Sequence, residues 1–359
     1  MTDDNAAVDG AGPPRTGEEL DTGSLVPFLV RELGTADGPV EVEQFPSGHS
    51  NLTYLVHYGD RDLVIRRPPF GAHAKGGHDM GREFKVLSRL DGHYPLAPRP
   101  LAYDESGDVL GAPFYVMERI RGVILRREIP PGIDLTPEVM ARLSANLIDN
   151  LADIHLLDWD GIGFGELHRE GSYTERQVRG WAQRMEDSRT DPTPVFDEVT
   201  AWLVAERPAD RGVALIHNDY KFDNIVLDTG DLGRIVGVLD WEMATVGDPL
   251  MDLGTTIGYW VEAGDNAAMQ AGGFGPTMLE GCPTRRELVD RYAARTGFDC
   301  SAVEYYYVYA LWKLAVVLQQ IYYRYAKGFT TDERFAVFVH MVTLLSQVAA
   351  DVIADPSRF

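Results

Sequence analysis

Leu215-Ile216-His217-Asn218-Asp219-Tyr220-Lys221-Phe222-Asp223-Asn224-Ile225-Val226-Leu227, followed after a turn by Val236-Gly237-Val238-Leu239-Asp240-Trp241-Glu242, is the stretch on which the reading of this chain turns. It alternates apolar strand, polar loop, apolar strand, turn and apolar strand, and a carboxylate stands where the last strand ends. Asp219, Asn224 and Asp240 come in that order, and the first two are five positions apart. An acid, an amide and a second acid carried on loops at strand ends can be aimed at one point. The buried-looking strand Val236–Leu239 holds the Asp240 carboxylate in a fixed place, which separates it from an ordinary turn aspartate.

Transfer of a phosphoryl group needs this set: a carboxylate at the attacking hydroxyl, and an amide and an acid on the metal that holds the phosphates. Asp219 takes the first role, as general base or as the group that orients the hydroxyl. Little base strength is needed in a loose transition state. Asn224 and Asp240 supply hard oxygen ligands suited to Mg²⁺. Lys221, two residues past Asp219, can neutralise phosphate charge. His217 reads as a loop histidine bracing the backbone, and Glu242 as a metal neighbour or a surface acid. The Asp219-x-x-x-x-Asn224 spacing matches that of the protein-kinase catalytic loop.

Working outward, the first half supplies complementary features. Pro46-Ser47-Gly48-His49-Ser50-Asn51 joins two strands, and its short residues let the backbone approach phosphate oxygens; Ser47, Gly48, Ser50 and Asn51 are the candidate contacts. An ordinary hairpin turn explains this loop equally well. In Leu63-Val64-Ile65-Arg66-Arg67, alternation puts only one of the two arginines on the inner face, to pair with phosphate. Glu83 shares a helical stripe with Leu87 and Leu90 and is placed to pair with that cation.

From Ser24 to Leu33 the spacing is helical. Strands are expected around 42–45, 53–56, 63–65 and 113–117, interrupted by a helix over His78–Leu90. Helices follow from Thr136 (N-cap) and Pro137, with Met140, Leu143, Leu147, Leu151 and Ile154 as the buried stripe, and then over 173–187, 195–206, 284–296, 301–326 and 331–353. The expected fold class is α+β and bilobal. A flexible acidic tail spans 1–23, a nucleotide-binding lobe of antiparallel sheet plus one key helix 24–118, a hinge 119–123, and a mostly helical catalytic and substrate-binding lobe 124–359.

With 33 basic and 55 acidic side chains the net charge is −22, which argues against a nucleic-acid or anionic-membrane surface. Residues 51–130 carry 12 basic and 10 acidic side chains, and residues 131–259 carry 10 and 24. That suits phosphate in the first lobe and metal plus substrate in the second. The start of the chain has no basic n-region or apolar h-region, the stretch Ala310–Tyr325 is too polar to span a bilayer, and the two cysteines form no framework, so a cytoplasmic protein without membrane partners is expected.

Taken together, these pieces resemble the aminoglycoside phosphotransferase and choline kinase family of the protein-kinase-like fold, and look closest to the kinase-like domains associated with acyl-CoA dehydrogenases. The resemblance is carried by Phe45–Tyr54, Val64–Gly71, Arg82–Leu87, Val116–Gly122, Glu175–Trp181, His217–Asn224, Leu239–Glu242 and Gly247–Gly254. It implies ATP and Mg²⁺ as cofactors, Asp219 as the catalytic aspartate, Asn224 and Asp240 on the metal, Glu83 as the helix partner of the phosphate-binding cation, and adenine at the Glu118–Ile120 backbone. The family's usual strand lysine is here Arg66 or Arg67, which keeps the charge but changes the geometry. The implied activity moves the ATP γ-phosphate to a hydroxyl of a small molecule. The acidic second half favours a cationic acceptor such as an aminosugar or amino alcohol. Arg119, Arg121, Arg126 and Arg127 favour an anionic one such as a hydroxyacyl compound. The competing reading is a catalytically idle nucleotide-binding module that regulates a partner enzyme.

Overall fold

The computed structural model describes residues 10–36, 38–46, 51–70 and 79–359. The chain divides into two compact units. The first comprises residues 1–125, 129–134 and 224–244; the second comprises 126–128, 135–223 and 245–359.

In the first unit, helix α1 (Thr22–Leu33) precedes strands β1 (Val40–Gln44), β2 (Leu52–Tyr58) and β3 (Arg61–Arg67). Helix α2 (Met80–Leu90) then leads to β4 (Pro100–Asp104) and β5 (Phe114–Glu118). The strands form one antiparallel sheet in the order β1-β2-β3-β5-β4. Alternation sorts the sheet into two faces. Tyr54, Val56, Leu63, Ile65, Phe114 and Val116 join Leu25, Phe28 and Leu29 of α1 in a buried core. Arg66 and Tyr115, directly opposed in the β3–β5 register, belong to the other face, where Phe84 of α2 stacks on Tyr103. Asp79 caps α2 by accepting from the Arg82 N–H. Of the helix expected over His78–Leu90, His78 lies outside the described residues.

Two expectations change here. Residues 12–20, read as part of a flexible tail, are docked on the sheet. Gly12 exchanges backbone hydrogen bonds with Gln44, the Gln44 amide donates to Glu18, the Tyr54 hydroxyl donates to the Glu18 carbonyl, and Leu20 is buried. The polar composition concealed this because the anchoring is mostly by hydrogen bonds. Residues 224–244, assigned from sequence to the second lobe, belong to the first unit. Their hairpin, Ile225–Leu227 with Ile235–Val238, is tied to it by mutual backbone bonds between Val123 and Leu227 and by Val238 N–H to Leu96 O. A Cβ on Gly122 would stand 2.2 Å from the Leu227 carbonyl oxygen, so only glycine permits that approach.

The second unit is built on helices α3 (Pro137–His155), α4 (Tyr173–Ser188), α5 (Pro194–Ala205), α6 (Pro249–Gly258), α7 (Ala267–Ala271), α8 (Arg285–Thr296), α9 (Val303–Ala326) and α10 (Phe338–Ala354). A two-stranded ribbon pairs Ala214–Ile216 with Thr245–Gly247. The predicted stripe of α3 is buried throughout, with Thr136 as its cap. Helix α9 is the spine, with α4, α6 and α10 packed along it. The contact with α6 is close because α6 presents Gly254 and Gly258: a Cβ at 254 would lie 2.6 Å from the Tyr306 carbonyl oxygen, and one at 258 would lie 2.7 Å from Ala310 Cβ. Helix α10 buries one face, Val342, Leu345, Ala349 and Val352. The stretch Glu333–Ala354 is long and apolar enough to cross a membrane by length and composition, which the sequence reading tested only at Ala310–Tyr325.

Candidate functional site

In the second unit the ribbon strand Ala214–Ile216 delivers the loop that carries Asp219. The loop is held from beneath by Asp252 of α6. Its carboxylate accepts from the His217 N–H and the Asn218 N–H, both at 2.7 Å, and lies 3.1 Å from His155 Nε2, while His155 Nδ1 lies 2.6 Å from the Tyr292 hydroxyl. Burial pushes the Asp252 carboxyl up, but the His155 hydrogen bond, the histidine charges and the His217 N–H outweigh it and hold it below the usual carboxylate range. His217 is fully buried, and its ring nitrogen accepts from the Asp219 N–H at 3.3 Å. Asn218 adopts a left-handed backbone, φ 67°, and this sharp turn presents Asp219.

Asp219 itself is clamped. Lys221 Nζ stands 3.0 Å from both carboxylate oxygens, and the Tyr259 hydroxyl donates to Oδ1 at 3.0 Å. The Lys221 ammonium also lies 4.7 Å from the centre of the Tyr259 ring, whose edge packs with Phe274. Tyr259 was not singled out from sequence. It sits forty residues from Asp219, and no local pattern marks it; only the packing of α6 brings it there.

In the first unit a second cluster surrounds Arg66. Its guanidinium pairs with Glu83 of α2, donates to Asp240 Oδ1 from both terminal nitrogens at 3.2 Å, and lies 3.6 Å from Glu242. Asn51 donates to Glu242 at 2.8 Å. Glu83 is 1% exposed and lies against the Tyr115 hydroxyl as well as Arg66, and Arg66 Nε has no hydrogen-bond partner among the described residues. Burial pushes the Glu83 carboxyl up, Arg66 draws it back down, and the outcome stays above the usual range. Arg67 points elsewhere, with Nε on the Pro68 carbonyl and its guanidinium 3.7 Å from the Phe70 ring centre.

Asp240 has a left-handed backbone, φ 67°, and with Asn218 it makes up the positive-φ non-glycine residues among those described. Asn224 stands beside it across the hairpin, where the Leu239 N–H donates to the Asn224 carbonyl at 2.8 Å. Glu118 ends β5, and its N–H bonds the Arg99 carbonyl. Ile120 packs so closely on Gly237 that a Cβ there would stand 2.8 Å from the isoleucine side chain. Ser47, Gly48 and Ser50 lie outside the described residues.

The model of the phosphotransferase enzyme family matches residues 41–288. The chain belongs to that family. Among curated relatives of this phosphotransferase-family chain, acyl-CoA dehydrogenase family member 11 of Rattus norvegicus is 33% identical over 81% of this chain, and family member 10 of Mus musculus is 28% identical over 89%. The chain spans 37% and 30% of those two proteins' lengths. A solved structure from Ralstonia eutropha, assigned as an aminoglycoside phosphotransferase, superposes with TM-score 0.75 at 25% identity over 93% of this chain and 99% of its own. Choline kinase from Cryptosporidium parvum superposes with TM-score 0.64 at 14% identity, covering 94% and 98%, and shares the fold. The fold of this family member is therefore α+β and protein-kinase-like, with an antiparallel sheet and key helix in one unit and mostly helix in the other.

Among the described residues no group of three or more His, Cys, Asp or Glu is arranged to hold a metal alone. The Asn224 amide oxygen and the Asp240 carboxylate are hard donors of the kind Mg²⁺ takes, and phosphate oxygens and water commonly complete such a shell.

Proposed function

We propose that this chain is an ATP- and Mg²⁺-dependent phosphotransferase that moves the γ-phosphate to a hydroxyl of a small molecule. Membership of the family and likeness to small-molecule kinases support the reaction class. The observation that carries the reading is the clamp on Asp219. A carboxylate held by Lys221 on both oxygens and by Tyr259 on one is oriented before any substrate arrives. Orientation is what this reaction asks of the protein, because the loose transition state leaves it little covalent work.

In this reading Asp219 accepts the hydroxyl proton as the nucleophile attacks, and Lys221 offsets negative charge nearby. Asn51 would contact the triphosphate, with Ser47, Gly48 and Ser50 as its neighbours in sequence also candidates, Glu118 and Ile120 would offer backbone groups to adenine, and Arg66, braced by Glu83, would grip phosphate. Asn224 and Asp240 hold Mg²⁺. The metal, when bound, neutralises charge on the phosphate oxygens. Arg66 in place of lysine allows a bidentate grip.

The test is an ATP-consumption screen over hydroxy acids, hydroxyacyl compounds, aminosugars and amino alcohols, with Asp219→Asn in parallel. The expected result is turnover with at least one class, and for the variant a loss of about 10³-fold or more with Mg-ATP binding retained. Parental turnover in Asp219→Asn would overturn the assignment. Mg-ATP binding without turnover on any class would instead make the chain a nucleotide-binding module.

A further inference from the structure

Lys313 of α9 reaches the Asp219 loop and is used by nothing in the reaction described above. Its ammonium donates one hydrogen bond, to the Asn218 carbonyl at 3.2 Å, and stands 5.7 Å from the centre of the Trp181 ring on α4. Among the described residues it makes no other hydrogen bond and no ion pair, so two of its three N–H donors are uncommitted. The Arg184 guanidinium lies over the same indole at 4.2 Å. Trp181 is anchored by Nε1 donating to Gln177, and the Tyr173 hydroxyl bonds the Asn218 side chain, so the ring and the loop are both fixed.

The charges around this ammonium do not balance locally. Burial lowers its proton affinity. Asp219 and Asp252 raise it partway, and Lys221 and Arg184 oppose them. Neither acid is free to serve as a counter-ion: Asp219 is committed to Lys221 and Tyr259, and Asp252 to His155 and two backbone N–H groups. A partly buried cation without a carboxylate partner is costly to keep in a structural role. Beside a carboxylate that orients a hydroxyl, it is suited to receive an anion.

We propose that Lys313, flanked by Trp181 and Arg184, binds an anionic group of the acceptor, a carboxylate or a phosphate carried a few bonds from the hydroxyl that Asp219 orients. This rests on the phosphotransferase reading for the hydroxyl and goes beyond it in naming the acceptor class. The acidic composition of the second half favours cationic acceptors, and Asp223 on this loop is a half-buried acid, but the side chains that flank Lys313, those of Trp181 and Arg184, add a cation and no carboxylate. An amino alcohol placed here would meet Lys313, Lys221 and Arg184 with a charge of the same sign. The flat indole gives the acceptor's carbon skeleton an apolar wall.

The test separates binding from turnover. Thermal shift and calorimetric titration are run on the parent, Lys313→Met and Arg184→Gln with 3-hydroxybutyrate, glycerol 1-phosphate, ethanolamine and choline. The expected result is that one or both anions bind the parent, that Lys313→Met weakens this about tenfold to a hundredfold, and that Arg184→Gln, at an exposed position, weakens it less. The carboxylate and phosphate arms identify which oxyanion is preferred. Equal anion binding by parent and Lys313→Met, preference for the amines, or no anion binding would each overturn the proposal. Asp219→Asn serves as the control: it is expected to keep anion binding while turnover is lost, so failure of the catalytic assignment and failure of the anion site give different results.

Discussion

Asp252 and Glu83 are both buried carboxylates on helices, one in each unit, and they are provided for in opposite ways. Asp252 receives two backbone N–H groups and a histidine, all fixed by the fold, and these hold its carboxyl below the usual carboxylate range. Glu83 shares one arginine with Asp240 and Glu242, and its other close polar neighbour is the buried Tyr115 hydroxyl. The first arrangement is complete and acts as scaffolding for the loop that carries Asp219. The second has more negative charge than its single cation satisfies, which suits a site that takes up further positive charge when it is used.

Asp252→Asn should break the contrast most severely. The amide keeps one oxygen but puts an NH2 donor where the other was, so it cannot accept from both the His217 and Asn218 N–H groups and face His155 at once, and the expected loss is about 3–5 kcal/mol of stability, read by urea unfolding. Glu83→Gln should cost less, about 1–2 kcal/mol, because Arg66 retains Asp240 and Glu242, but Mg-ATP should then stabilise the protein less than it does the parent.

The two carboxylates should also part company in their pH dependence. Asp252 has a lowered folded pKa, so its contribution is present above about pH 3.9, the unfolded value, and is lost as pH falls through the folded one. Glu83 has a raised folded pKa, so its contribution is present below about pH 4.3 and is lost as pH rises through the folded value. Unfolding titrations of the two variants should therefore flatten opposite limbs of the stability profile. If both flatten the same limb, the contrast between them is wrong. The smallest effect is expected from Tyr259→Phe. It removes one hydrogen bond from a neutral hydroxyl to the Asp219 carboxylate and should lower kcat about three- to tenfold with little change in stability, since Lys221 still spans both oxygens.

Four of the five sheet strands, α2, the α3 stripe and the loop bearing Asp219 were legible in the sequence because each has a clean period or a cap with a mechanism, whereas β4 (Pro100–Asp104), opened by a proline and bulged against β5, was not. Helix α6 was not read as a helix, although Asp248 and Pro249 mark its start. Its residues are buried all round, so no polar face alternates with an apolar one to set a period. The choice between Arg66 and Arg67 was left to alternation, and the register with Tyr115 shows that Arg66 is the one on the face of α2. Asp252 and Tyr259 act across more than thirty residues of sequence, beyond the reach of any local pattern, and the docking of residues 12–20 depends on hydrogen bonds that composition does not reveal.

The bare glycines of α6 have a consequence for how this protein can vary. Between them, Gly254 and Gly258 act as a mechanical stop that sets the gap between α6 and α9 at backbone contact. Asp252 rides on the first of these rods, Tyr259 caps its end and Lys313 rides on the second, so the stop gauges the distance between the residues that steady Asp219 and the lysine that reaches the same loop. A single methyl added at 254 would spread that gauge, and several functional distances would drift together without any of those side chains being altered.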